Sequence, residues 1–198
     1  MIREHGDNRL DRRKVVAELM RDRGQLLVVT GLGSAAYDLM ATGDDMRNFY
    51  LWGAMGGAAM IGLGLALARP DARVAVITGD GEQLMGLGAL ATIGAAAPAN
   101  LTLAVLDNQH YGETGMQSSH TGRGIDLSRV ALACGFVRAE NVTDMAGVAT
   151  LRDRLHTGQG PDLACVQIAP DSPARVLPPR DGVEVKNRFR RHLGLETI

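Results

Sequence analysis

Aromatic residues are scarce in this chain: one Trp, three Tyr and three Phe stand among 198 residues. The core must therefore be built from Ala, Leu, Val, Ile and Met. Cysteine is nearly absent as well. Cys134 and Cys165 lie far apart in apolar contexts, fit no metal-binding spacing, and read as buried free thiols of a cytoplasmic protein. An excess of one charge is also missing. The 21 Lys and Arg against 22 Asp and Glu leave a net charge of −1, which excludes an electrostatic footprint for nucleic acid. A dense basic patch, Arg188, Arg190, Arg191 and His192, reads as a solvated helix end, because cations suit helix C-termini. The segment Met1-Ile2-Arg3-Glu4-His5 is too charged for a signal peptide. Residues 51–68 carry no charge and just reach the length of a membrane span. Their abundant glycine and the following Pro70 favour a short, close-packed buried helix instead.

Glycine is plentiful: 25 residues, well above the usual level of about 7%. Many of these glycines stand where apolar runs end. Short, mainly apolar runs recur at 26–29, 74–77, 101–106 and 163–168, with a further strand expected at 49–51 and another at Phe136-Val137. Helical periodicity lies between them, at 11–23, 34 onward, 56–68, 83–97, 126–134, up to 156 and 183–192. Ser34 and Thr143 are expected helix caps. Residues 108–124 read as a long polar loop, and 170–179 as a proline-rich stretch. Strands that are apolar throughout, separated by helices, imply a parallel sheet covered on both faces. The expected class is α/β, doubly wound, with ligands at the carboxyl ends of the strands. No internal repeat or domain boundary is evident, so residues 1–198 read as one domain.

Two motifs could carry chemistry. Gly31-Leu32-Gly33-Ser34-Ala35-Ala36 matches the glycine pattern of a dinucleotide turn between strand and helix. The acidic residue expected at the end of the next strand is missing, because Leu51 leads into Trp52-Gly53. What survives is a glycine turn feeding a helix N-terminus, a site for phosphate at Gly33 and Ser34. The second motif is more specific. Gly79-Asp80-Gly81 ends one apolar strand, and a second apolar strand ends in Asp107-Asn108. Parallel strands joined by one helix bring Asp80 and Asn108 to the same sheet edge. Mg²⁺ takes octahedral oxygen ligands and shares them with phosphates. A carboxylate, a carboxamide and a backbone carbonyl can supply one face of such a site, and the glycines let the backbone approach the phosphates.

Gly-Asp-Gly followed by Asn at this distance resembles the signature of thiamine diphosphate-dependent enzymes. The resemblance makes Asp80, Asn108 and the carbonyl of His110 the Mg²⁺ ligands. One departure is Asp107, where many members of the family have a first Asn. Gly53-Ala54-Met55-Gly56 resembles the segment beneath the bent cofactor. Met55 would then be the apolar wedge that fixes cofactor conformation, and the Gly53 carbonyl would accept from the pyrimidine amino group. The run from Asp107 to Gln117, with 84–93, resembles phosphonopyruvate and sulfopyruvate decarboxylases, and the likeness extends from about Arg12 to Phe189. It implies cofactor contacts at Gly33, Ser34, Gly53, Ala54, Met55, Gly79, Asp80, Gly81 and Glu82, and again at Asn108, His110, Tyr111, Gly112 and Glu113.

The resemblance implies decarboxylation of a small anionic 2-oxoacid, 3-sulfopyruvate or 3-phosphonopyruvate, to an aldehyde and CO₂. It also implies a partner. The family activates the cofactor with a Glu from a pyrimidine-binding domain, and none of the seven Glu here ends an apolar strand where it would fill that role. An α-type pyrimidine-binding subunit is therefore expected in a hetero-oligomer, and a homo-oligomer is possible in isolation. Two alternatives remain open. One is another thiamine reaction, such as acetolactate-type carboligation or oxidation, the ferredoxin-linked form being disfavoured by the lack of clustered cysteines. The other is a non-catalytic cofactor-binding subunit. His120 and Arg123 are candidates to face the acid's anionic tail or to lie on a solvated loop. His5, His156 and His192 read as surface residues.

Overall fold

A computed structural model of the chain describes residues 9–197. The expectations for Met1 to His5 lie outside these residues. Eight strands and eight helices are introduced in chain order: α1 (Arg12–Met20), β1 (Leu27–Thr30), α2 (Ser34–Ala41), β2 (Asn48–Tyr50), α3 (Ala58–Ala68), β3 (Val74–Gly79), α4 (Asp80–Met85), α5 (Gly88–Ala96), β4 (Leu101–Asp107), β5 (His110–Tyr111), β6 (Gln117–Ser118), α6 (Leu127–Ala133), β7 (Arg138–Val142), α7 (Met145–Thr157), β8 (Asp162–Gln167) and α8 (Gly182–His192).

Six strands form one sheet in the order β2-β1-β3-β4-β8-β7, and every pair in it is parallel. The apolar runs of β1, β3, β4 and β8 are explained by burial on both faces. Val28, Ala75, Ile77, Ala104, Leu106 and Val166 pack with α1, α2 and α7. The alternate residues Leu27, Val29, Val76, Leu103, Val105 and Cys165 pack with α3, α5 and α6, closed at one end by Phe189 of α8. This is the period-2 alternation of a strand applied to two apolar layers. The expected α/β doubly wound class is what the structure shows. The chain leaves β1 toward β2 and returns to add β3 on the other side, so a switch point lies between β1 and β3. Ligands bind at that point in open α/β sheets.

Several local expectations need correction. The strand expected at Phe136-Val137 lies instead at β7, whose polar sequence suits an exposed edge. Phe136 plugs the core from the preceding turn, and Val137 points to solvent. The helix expected over 83–97 is two helices. A Cβ on Gly86 would lie 2.3 Å from the Gly56 carbonyl oxygen, so the loop ending at Gly57 presses into the break. The cap at Ser34 is instead Gly33, and that at Thr143 is Asp144, which accepts from the Gly147 N–H. The loop 108–124 contains a small antiparallel hairpin, β5 with β6. Arg188 is not a solvated residue of the helix end: it pairs with Asp44 and lies over the Tyr50 ring. Cys165 is buried but Cys134 only partly so. His156 and His192 are half-buried rather than surface groups. The run 51–68 contributes only the 11-residue α3, and among the described residues no helix is long and apolar enough to cross a membrane.

Candidate cofactor site

The carboxyl ends of β1, β3 and β4 open into a cleft of about 320 Å³. Two glycine-led helix starts converge on it. α2 begins after Gly33 and α4 after Gly79, and neither has a side-chain cap. The start of α3, after Gly57, is met instead by Glu82, which accepts from the Ala58 N–H. Free N–H groups at helix N-termini favour an anion. Gly33 has φ +80°, a conformation that only glycine adopts without strain, so the turn into α2 requires it.

Asp80 is the first residue of α4 and is 2% exposed. Its Oδ2 accepts from the Ser119 hydroxyl at 2.5 Å and from the Thr121 hydroxyl at 3.2 Å. Thr121 Oγ1 also lies 2.8 Å from Asp107 Oδ1, so its single proton is shared between two buried carboxylates. Burial pushes the Asp80 carboxyl above the ordinary carboxylate range. The Ser119 bond opposes this, and the neighbouring Asp107 adds to it. Asp107 is raised by burial in the same way. Two desolvated carboxylates with such shifts are relieved by a cation placed between them and an anionic ligand.

Asn108 follows β4 and is 7% exposed. Its Oδ1 accepts from the His110 N–H at 2.9 Å, a tight turn that sets the course of the chain past the cleft. Residue 81 must be glycine, because a Cβ there would meet the Tyr111 ring at 2.6 Å. Glu82 lies one turn into α4 and is 3% exposed. It accepts from the Thr78 hydroxyl at 2.8 Å. Burial raises its pKa, while Thr78 and the N–H groups of Gly56, Ala58 and Leu32 lower it. Oε1 still lacks a bond of good geometry. A Cβ on Gly31 would lie 1.4 Å from Glu82 Oε2, so the carboxylate fills the space above the β1 turn. Glu82 thus ties together the two glycine loops that border the cleft.

Residues 31–164 match the model of the thiamine pyrophosphate enzyme family, C-terminal TPP binding domain. The chain belongs to this family. It is similar to sulfopyruvate decarboxylase subunit beta of Methanocaldococcus jannaschii, 43% identical over 61% of this chain and 64% of that one. The subunit beta of Methanothermobacter thermautotrophicus is 39% identical over 82% of this chain and 84% of that one. Phosphonopyruvate decarboxylase of Streptomyces viridochromogenes is 39% identical over 89% of this chain but only 44% of its own. The chain therefore spans less than two thirds of the first and third of these relatives. In fold it resembles benzoylformate decarboxylase from Polynucleobacter necessarius, with a TM-score of 0.69, 16% identity and coverage of 86% of this chain and 35% of that one. A thiamine diphosphate-dependent 4-hydroxybenzoylformate decarboxylase of Rhodococcus jostii RHA1 also has a TM-score of 0.69, at 20% identity, covering 83% of this chain and 33% of that one.

The residues expected at a thiamine pyrophosphate site are largely brought together. Ser34, Met55, Gly79, Asp80, Gly81, Glu82, Asn108, His110, Tyr111, Gly112 and Glu113 all line the cleft. Gly33 adjoins it as the cap of α2, and Gly53 and Ala54 lie exposed on the loop leading to Met55. Met55 is 42% exposed, which excludes an ordinary core role. His120 and Arg123 are exposed on a single turn outside the cleft wall, with His120 Nδ1 3.4 Å from the Tyr111 hydroxyl. Sequence reasoning missed Ser119 and Thr121, which hold the carboxylates, and Thr78, which holds Glu82. It also missed Arg12 and Arg175. Arg12 joins the cleft wall. Arg175 pairs with Glu113 at 2.8 Å, while Glu113 accepts from the Ser34 hydroxyl at 3.1 Å.

Among the described residues no three His, Cys, Asp or Glu side chains cluster to hold a metal. A site built from one carboxylate, one carboxamide and one backbone carbonyl escapes such a cluster, and those three groups border one cleft here. Hard oxygen donors beside uncapped helix starts fit Mg²⁺ with a diphosphate.

Proposed function

We propose that this chain is the diphosphate- and Mg²⁺-binding subunit of a thiamine diphosphate-dependent 2-oxoacid decarboxylase. The observation that carries this reading is the convergence of Asp80, Asn108 and two uncapped helix starts on one cleft. Asp80, Asn108 and the His110 carbonyl hold the cation. The turns at Gly33 and Gly79 let backbone N–H groups reach the phosphates. Met55, exposed on the cleft wall, would support the cofactor's rings, and the Gly53 carbonyl would accept from its amino group. When bound, thiamine diphosphate supplies an electron sink for the electrons released as CO₂ departs.

The substrates that fit the curated relatives are 3-sulfopyruvate and 3-phosphonopyruvate, each giving an aldehyde. The names of two relatives as subunit beta support a second subunit. Glu82 is a buried glutamate in the cleft wall, and it is committed to Thr78 and the loop amides. The activating carboxylate therefore comes from a pyrimidine-binding partner. Met55 and Met85 line the cleft and are exposed, as expected of a surface another subunit covers. The assay is decarboxylation of both acids with thiamine diphosphate and Mg²⁺, with and without that partner. Activity only in the pair supports the reading; full turnover by the chain alone would sink the partner requirement. Met55→Ala in the active pair lowers kcat more than it weakens cofactor affinity; an unchanged kcat would remove Met55 from the site.

A further inference from the structure

The cleft holds one charged group that the expected ligand set does not use. Arg12, the first residue of α1, is 5% exposed. A guanidinium so deeply buried needs a carboxylate partner. It has one, since its Nε donates to Asp38 Oδ2 at 2.7 Å. That partner is shared. Arg13 donates from its Nε to the other oxygen of Asp38 at 2.6 Å. Two cations on one carboxylate leave one positive charge uncompensated.

The excess falls on Arg12. Arg13 spends a further N–H on the Ala174 carbonyl and is partly solvated. Among the described residues the two Nη groups of Arg12 have no hydrogen-bond partner. Arg12 forms part of the cleft wall together with Ser34 and Ala35, at the uncapped start of α2. Glu113, also in the cleft wall, pairs with Arg175, and Asp80 and Glu82 on the same wall are held by Ser119, Thr121 and Thr78 rather than by Arg12. Among the described residues Arg12 pairs with no carboxylate other than the shared Asp38.

We propose that Arg12 is a diphosphate-binding residue. Asp38 holds the guanidinium through Nε, and the two Nη groups donate to phosphate oxygens that the α2 N-terminus also receives. A planar fork anchored at one edge suits a phosphate better than a lysine would. The inference rests on the thiamine diphosphate reading of the cleft.

The test is calorimetric titration of the full chain with inorganic diphosphate in Mg²⁺, for wild type, R12Q and R12K, alongside melting curves without ligand. Arg13 keeps Asp38 paired in R12Q, so its melting temperature stays close to wild type. Its Kd rises about 10- to 100-fold, the loss expected for charged hydrogen bonds. R12K retains the charge and falls between the two. Should R12Q fold poorly, the double variant R12Q/D38N removes the buried pair altogether and shows the same loss. An R12Q affinity equal to wild type overturns this inference alone. A wild-type chain that binds no diphosphate overturns the cofactor reading and this inference with it.

Discussion

Among the described residues four helices start on an aspartate and three on a glycine, while α5 follows Leu87. Asp11, Asp126, Asp144 and Asp181 cap α1, α6, α7 and α8, each accepting from backbone N–H groups of the first turn. Gly33, Gly57 and Gly79 precede α2, α3 and α4 and accept nothing by side chain. The aspartates satisfy their helices internally, and each such cap contributes about 1 kcal/mol. The glycine-led helices forgo that contribution. α2 and α4 open onto the cleft, and α3 is met by Glu82. The difference separates helix starts closed by their own side chain from those left to another acceptor.

Removing the cation ligand is the harshest way to probe the glycine-led set. Asp80→Ala lowers Mg²⁺-dependent thiamine diphosphate affinity by about 100-fold or more, in line with roughly 3 kcal/mol for a charged ligand contact. Its fold persists in circular dichroism, because the carboxylate is itself a desolvated burden. Cofactor affinity equal to wild type would remove Asp80 from the metal site.

Gly31→Ala attacks the strut rather than the ligand. Its new Cβ lands on Glu82 Oε2, so Glu82 must leave Thr78 and the loop amides. Overpacking of this kind costs about 1–3 kcal/mol, read as a lowered melting temperature. In a Glu82→Ala background the same substitution costs less, because the clash is gone. Equal costs in both backgrounds would show that Glu82 is not the obstacle.

Asp144→Ala probes the aspartate-led set. It lowers stability by about 1 kcal/mol in chemical denaturation. Cofactor affinity stays the same, and a parallel loss of affinity would blur the two classes of helix start.

The smallest effect concerns Glu113, whose carboxylate sits beside Ser34 at the start of α2. There it opposes a diphosphate. Glu113→Gln tightens cofactor binding by about 2- to 5-fold, the range of a partly exposed charge interaction. Weaker binding would make Glu113 a favourable contact instead.

The sheet was legible because burial on both faces forces its central strands to be apolar throughout. The spacing from Gly79-Asp80-Gly81 to Asn108 was legible because β3, one crossover and β4 deliver both residues to one edge. Less visible were features set by contacts distant in sequence. The break between α4 and α5 depends on Gly56, thirty residues before Gly86. Ser119 and Thr121 lie in a polar run whose fold onto Asp80 no periodicity announces. β7 escaped notice because an edge strand need not be apolar. Arg12 looked like any helical surface residue, and only the packing of α1 on α2 shows it buried. The caps were misplaced by one residue at Ser34 and Thr143, where Gly33 and Asp144 compete for the same turn.

The central claim is that two uncapped helix starts and a buried oxygen site together hold a metal-bound diphosphate. Calorimetric titration of the chain with thiamine diphosphate, in Mg²⁺ and then in chelator, addresses it directly. The account predicts saturable one-site binding in Mg²⁺ that disappears when the cation is removed. Binding of equal strength in chelator, or none in either condition, would contradict it.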